Sequence, residues 1–142
     1  MTTDVVVDAC VAIKWFVAER DSDQARKLFA PEIRRHAPDF ALMEITNALW
    51  KAERRGHLTA EAASEALESA PKFFWSLPSS KTLLDDALRL GMMIDHPVYD
   101  CIYVVLSQRL TAPMITSDVK LVGKLADTPN AAHVVLLRDW KA

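Results

Sequence analysis

A chain of 142 residues, 51% hydrophobic and 25% charged, is long enough for one domain with its own core and too varied in composition to be disordered. Its formal net charge of −2 excludes a globally basic nucleic-acid binder, so any such binding needs a local basic patch. Two cysteines, Cys10 and Cys101, support neither a metal finger nor a disulfide framework and point to a reducing cytoplasm. The N-terminal stretch carries Asp4, Asp8 and Lys14, which fits neither a signal peptide nor a membrane span.

In chain order, the valine-rich run "DVVVDA" predicts a buried strand ending near Asp8. "VAIKWFVAE" predicts a short helix, and "DSDQARKLFA", which opens on cap-type residues, a second. "RHAPDF" reads as a brief extended piece. Pro38 and Asp39 start a long helix that runs to about Arg55 and stops at Gly56. Thr59 caps "AEAASEALESA", and "FFWSLPSS" breaks the helical pattern. Helices follow from about Ser80 to Leu90 and from Pro97 to about Leu110. "APMITSD" predicts another buried strand, then a helix from Asp118 to about Ala126, and "HVVLL" a last strand. Strands alternating with helices predict an α/β class with a mainly parallel central sheet and a single domain over residues 1–142.

Four acids stand out from that frame. Asp8 and Asp118 each close an apolar strand, and sites in open α/β sheets lie beyond the carboxyl ends of the strands. Each also suits a plain helix cap. In the long helix, Leu42, Ile45, Leu49 and Ala52 form an apolar stripe. Beside it run Glu44, Asn47, Lys51 and the pair Arg54 and Arg55. Acid, amide and bases in that order suit a metal ligand, a supporting donor and a phosphate-binding tail, or else a solvated face laced with ion pairs. Asp100 lies within the apolar "HPVYDCIYVVL", where an isolated carboxylate takes up a proton unless something compensates it. Backbone donors at the helix start are one candidate. A divalent cation shared with the other acids is the other, since Mg²⁺ prefers oxygen ligands and needs only a few carboxylates.

"VVVDACVAIKWF", "APDFALMEITNALWKAERRG", "HPVYDCIYVVLSQRL" and "PMITSDVKL" resemble, in order and spacing, the four acidic motifs of PIN-domain ribonucleases. They are most similar to VapC-type toxins of bacterial toxin–antitoxin pairs. The resemblance covers nearly the whole chain and implies a three-layer α/β/α sandwich, a Mg²⁺ or Mn²⁺ site and endonucleolytic cleavage of RNA. Carried over residue by residue, the four acids fall on Asp8, Glu44, Asp100 and Asp118, with Asn47 and Thr116 at supporting positions. It also implies a homodimer silenced by a cognate antitoxin, with no membrane attachment. Cys10 departs from the serine frequent at that position, and a thiol is the weaker hydrogen-bond donor.

The chemistry this predicts is hydrolysis of a phosphodiester by water activated at a metal held mainly by Asp8 and Asp100, leaving a 5′-phosphate. Lys14, Lys51, Arg54 and Arg55 are the candidates for holding RNA beside an acidic pocket. His36, His57, His96 and His133 have no spaced partners and read as surface or loop residues, which leaves no histidine pair for cleavage through the ribose hydroxyl. Trp15, Trp50, Trp75 and Trp140 read as core or interface. "IKWFVAE" and "KFFWSLP" hold more aromatics than such short elements need for a core, which suggests an interface at Trp15 or Phe16. A phosphatase of the haloacid-dehalogenase type lacks its second aspartate at Cys10, and a receiver domain lacks its paired acid and late lysine. A binding module whose acids only receive a partner's arginine stands as the non-catalytic alternative.

Overall fold

Strand β1, Thr3–Val7, sits in the middle of the sheet because its three valines leave no polar face. Val5, Val6 and Val7 are all fully buried, so helices cover both sides of it, as a parallel sheet requires. The computed structural model describes residues 1–141. It contains four parallel strands in the order β2-β1-β3-β4, with β2 at Ile33–His36, β3 at Met114–Thr116 and β4 at Val134–Leu136. The expected α/β/α sandwich with a mainly parallel sheet is the fold observed.

Seven α-helices accompany the sheet: α1 (Ala9–Ala12), α2 (Ser22–Arg26), α3 (Ala41–Arg54), α4 (Ala60–Ser69), α5 (Leu84–Ile94), α6 (Val98–Leu110) and α7 (Val119–Leu125). Helix α6 packs on β1 and β3, which explains why its residues 101–107 are all buried. Helix α5 packs on α6 from outside, and α3 packs on α1 and α4. The α3 stripe faces inward as expected: Ile45, Leu49 and Ala52 are buried and Leu42 partly so. Gly56 ends it in a left-handed conformation, φ 78°, that a β-carbon disfavours.

Several boundaries differ from expectation. The predicted first helix is only α1 followed by a 3₁₀ turn over Ile13–Trp15. Strand β2 starts ahead of "RHAPDF". Helix α5 starts after a 3₁₀ turn at Ser80–Leu83 and passes through Gly91 to Ile94, four residues beyond the expected stop at Leu90. Gly91 is there for packing: a β-carbon would come within 3.0 Å of the His96 carbonyl and 3.2 Å of Val98. The aromatic segments find company in each other. Trp15 stacks with Phe29 at 5.0 Å and Phe74 at 5.6 Å, and Phe16 with Phe73 at 5.4 Å. The Trp15 indole also donates to the Ala25 carbonyl.

Candidate active site

The parallel pairing of β1 with β3 places Asp8 beside Thr116, because Val7 pairs with Ile115 and each of the two is the next residue along its chain. Asp8 then turns the chain into α1 as its N-cap. Its carboxylate accepts from the Cys10 amide at 3.4 Å and from the Thr116 hydroxyl at 2.8 Å. The same hydroxyl accepts from the Asp118 amide at 3.0 Å. Thr116, fully buried, thus fixes two acids at once. Asp118 caps α7, accepting from the Leu121 amide at 3.1 Å. Both acids serve as caps, and both are tied to the same Thr116 hydroxyl.

Glu44 enters from α3 and Asp100 from the first turn of α6. The Tyr103 hydroxyl, one helical turn after Asp100, donates to Glu44 Oε1 at 2.6 Å. Asp100 Oδ2 lies 2.6 Å from His96 Nε2, which is also 4.0 Å from Asp118 Oδ2. Ligand atoms of His96, Asp100 and Asp118 lie within 4.8 Å of one another.

The electrostatics follow from burial. Desolvation pushes Asp8 up to about 6, opposed by the Thr116 hydrogen bond and aided by the charge of Asp100. Glu44 is pushed up to about 7, again chiefly by burial, against the Tyr103 hydrogen bond and with the charges of Asp8 and Asp100 adding to the rise. Asp100 is raised too, by burial first, with His96 opposing and Asp118 reinforcing. Burial and the charges of Asp8 and Glu44 hold the Tyr103 hydroxyl firmly protonated.

Every carboxylate is held by one oxygen or by one lone pair of each. Among the described residues, Glu44 Oε2, Asp100 Oδ1 and Asp118 Oδ2 make no hydrogen bond. Oxygens left bare in a desolvated pocket form the donor set that a hard divalent cation prefers. Glu44, Asp100 and Asp118 each keep an oxygen for such an ion, and the donor atoms that lie together are those of His96, Asp100 and Asp118. His96 is better suited to holding Asp100, because its Nε2 is taken up by that carboxylate.

Two expectations about histidine need correction. His36 lies in β2 at 6% exposure, and His96, though in the loop between α5 and α6, is buried at 8%, so neither is a surface side chain. His36 bridges Ser76 and Asp4, at 2.6 and 2.8 Å. Among the protein's own groups, the partner of Asp100 is not a backbone donor but the imidazole four residues before it. That i, i+4 spacing was visible in "HPVYD". Tyr103 was missed because it lies in a run of apolar residues; its spacing of three from Asp100 is the only trace it leaves in sequence.

The basic residues divide. Lys14 is buried, its ammonium held by Glu19 at 3.1 Å and the Arg20 carbonyl at 2.8 Å, and it lines a separate cleft with Ser117 and Val119. Lys51 lines a cleft with Glu44, Asn47 and Cys10, so the predicted α3 stripe does run out of the acidic site. Arg54 and Arg55 continue it beside Trp50. Asn47 is exposed in that cleft and contacts none of the acids by hydrogen bond. Cys10 joins the network after all: its sulfur accepts from the Ser117 amide at 3.4 Å and lies 3.7 Å from the Thr116 hydroxyl.

Residues 5–123 match the family model of the PIN domain. The chain belongs to the PIN-domain family. All four acids fall inside the matched span. This PIN domain is 35% identical to Ribonuclease VapC3 of Pyrobaculum aerophilum over 122 residues, which cover 84% of this chain and 93% of that protein. Its fold is similar to the crystal structure of PAE2754 from Pyrobaculum aerophilum, with a TM-score of 0.69 and 22% identity over 97% of this chain and 92% of the other. It is also similar to a toxin–antitoxin complex from Klebsiella pneumoniae, with a TM-score of 0.61 and 18% identity over 94% and 97% of the two chains. At those identities the two solved structures bear on the fold alone.

Proposed function

We propose that the chain, read over residues 1–142 as a single PIN domain, is the toxin of a toxin–antitoxin pair and a divalent-metal-dependent endoribonuclease. One observation carries the reading: burial and one another's charges raise the pKa values of Asp8, Glu44 and Asp100, with Asp118 beside Asp100, and Glu44, Asp100 and Asp118 each keep an oxygen without a hydrogen bond. A pocket of that kind is unstable in charge until a cation enters it. The relative named Ribonuclease VapC3 supports the choice of reaction.

Asp8, Asp100, Glu44 and Asp118 are the residues that would hold Mg²⁺, with Mn²⁺ an alternative. When bound, such an ion lowers the pKa of water and offsets charge developing on a phosphate. The chain's own residues do the positioning. Thr116 holds Asp8 and the Asp118 backbone in register. Tyr103 and His96 each hold one oxygen of Glu44 and Asp100 and leave the other without a hydrogen bond. Lys51, Arg54 and Arg55 supply the positive charge that lets an RNA backbone approach four acids. Lys14 is proposed for the same task with less support, since its ammonium is already engaged.

The proposal extends to a cytoplasmic homodimer silenced by a cognate antitoxin. Two free cysteines favour a reducing compartment, and no helix is long and apolar enough to cross a membrane among the described residues. Leu84, Leu88 and Met92 recur every fourth residue on α5 and are 47%, 49% and 68% exposed, an apolar stripe of the sort that seeks a partner. An arginine from an antitoxin would compensate the acids as a cation does.

The test is cleavage of a structured RNA by the purified protein with and without Mg²⁺. Loss of cleavage in EDTA and 5′-phosphate ends are expected. Full activity in EDTA, or 2′,3′-cyclic phosphate ends, would overturn the reading.

A further inference from the structure

The four tryptophans occupy different settings. Trp140 is buried, and Trp15 is half-buried with its indole nitrogen hydrogen-bonded. Trp50 and Trp75 are 52% and 67% exposed. Each exposed ring carries an arginine: Arg54 lies 5.5 Å from the Trp50 centroid and Arg34 lies 5.2 Å from that of Trp75. The two pairs differ in charge. Arg34 is bound by both oxygens of Asp4, at 2.8 Å each, which neutralises it. Arg54 has no acidic partner among the described residues, and neither do Lys51 and Arg55.

Trp50, Lys51, Arg54 and Arg55 together line one cleft, with no acid in it. Lys51 also lines the neighbouring cleft that holds Glu44 and Cys10. It is the wall shared by the two. Trp50 lies six residues along α3 from Glu44, about 9 Å at the helical rise. That is two to three stacked nucleotides of strand at about 3.4 Å each. An exposed indole, unpartnered at nitrogen among the described residues and flanked by free cations, matches an aromatic platform in a positively charged groove.

We infer that Trp50 and Arg54 seat one unpaired base of the substrate RNA, two to three nucleotides from the cleaved bond, while Lys51 and Arg55 hold the phosphates between. This rests on the ribonuclease reading and adds to it a base-binding position on α3: the base seated there is unstacked, since a base inside a duplex cannot reach the ring. The geometry also makes Trp75 an internal control, more exposed than Trp50 but beside a neutralised arginine.

The experiment measures binding of a fluorescent single-stranded RNA oligonucleotide to the full chain carrying Asp100→Asn, so that cleavage does not interfere. Inorganic polyphosphate is the probe for charge without bases. Adding Trp50→Ala is expected to weaken RNA binding about ten-fold or more, with polyphosphate binding unchanged. Trp50→Phe is expected to recover most of the loss, and Trp75→Ala to have no effect. Should Trp50→Ala fail to fold, Trp50→Leu carries the same expectation. Unchanged RNA affinity overturns the inference, as does equal loss towards RNA and polyphosphate. Unchanged RNA affinity together with a halved mass in light scattering would assign Trp50 to an interface between copies instead. If the parent binds polyphosphate but no RNA, the ribonuclease reading itself fails, a result distinct from all of these.

Discussion

Two aspartates at opposite ends of β1 lie four residues apart and behave in opposite ways. Asp4 opens the strand. Arg34, paired with it across the sheet, grips both its oxygens, and His36 adds a third contact at 2.8 Å. These hydrogen bonds hold its carboxyl below the ordinary range. Asp8 follows the strand, with a hydroxyl and an amide for company and the charges of Asp100 and Glu44 nearby, and burial pushes it up to about 6. Both ends hold carboxylate with histidine. The difference is that one cluster contains its own cation and the other does not. A carboxylate fully compensated by neighbouring bases stabilises the fold, whereas uncompensated acids gathered in one cleft mark a place where an outside cation is required.

The largest separation should come from neutralising each aspartate in turn. Asp8→Asn is expected to lower the RNA cleavage rate by roughly a hundred-fold or more, since a metal site supplies several kcal/mol of transition-state stabilisation. Its metal-free Tm should stay level or rise, because a repelling charge is gone. Asp4→Asn should do the reverse: cleavage per folded molecule unchanged, stability lower by about 1 to 2 kcal/mol after allowing for its partial exposure. That corresponds to a Tm lower by roughly 5 °C. Thermal melts and cleavage assays on the two variants would merge the clusters into one class if both lost stability alike.

The next effect is on pH, and the two ends should give opposite signs. Asp8 and Glu44 are raised above their ordinary values of 3.8 and 4.5, to about 6 and about 7. Between those limits the metal-free folded state holds protons that the unfolded chain has released, so stability falls as pH rises from about 4 to about 7. Asp4 is lowered, so it contributes stability present above the ordinary carboxylate range and lost as pH falls below it. Urea unfolding across this window should show the first trend without metal and lose it with saturating Mg²⁺. A slope unaffected by Mg²⁺ would mean that the acids do not share a cation.

The same contrast explains what was legible in the sequence. Asp8 and Asp118 follow apolar runs, and Glu44 shares a helix face with Lys51 at a spacing of seven, so their convergence follows from strand ends and helical period. The Asp4 cluster was invisible, because Arg34 and His36 meet Asp4 only once β1 and β2 pair in a particular register. His96 stands before Pro97 and outside α6, so its spacing of four from Asp100, though present in the sequence, does not read as a helical pair. Tyr103 donates across to another helix, and no local pattern foretells which buried tyrosine does that. Gly91 resembles a helix stop but permits a close approach.

The smallest expected effect concerns Cys10, the one departure among the residues around Asp8. Its sulfur accepts from the Ser117 amide at 3.4 Å and stands 3.7 Å from the Thr116 hydroxyl, contacts long enough for sulfur but weak. Burial and the Asp8 charge push its thiol well up, so it stays protonated and adds no further negative charge to the pocket. A serine hydroxyl would preserve neutrality and form stronger hydrogen bonds if it could reach the same partners, but its shorter bond leaves a gap where the sulfur now packs. The two effects oppose each other, and the net of one neutral hydrogen bond against a lost contact is within about 1 kcal/mol. Cys10→Ser is therefore expected to change Tm by no more than roughly 3 °C and Mg²⁺ affinity, read by calorimetry, by less than about five-fold. A much larger loss of Mg²⁺ affinity would show that the thiol, and through it Thr116, sets the position of Asp8 more tightly than the hydroxyl-to-carboxylate bond of 2.8 Å alone.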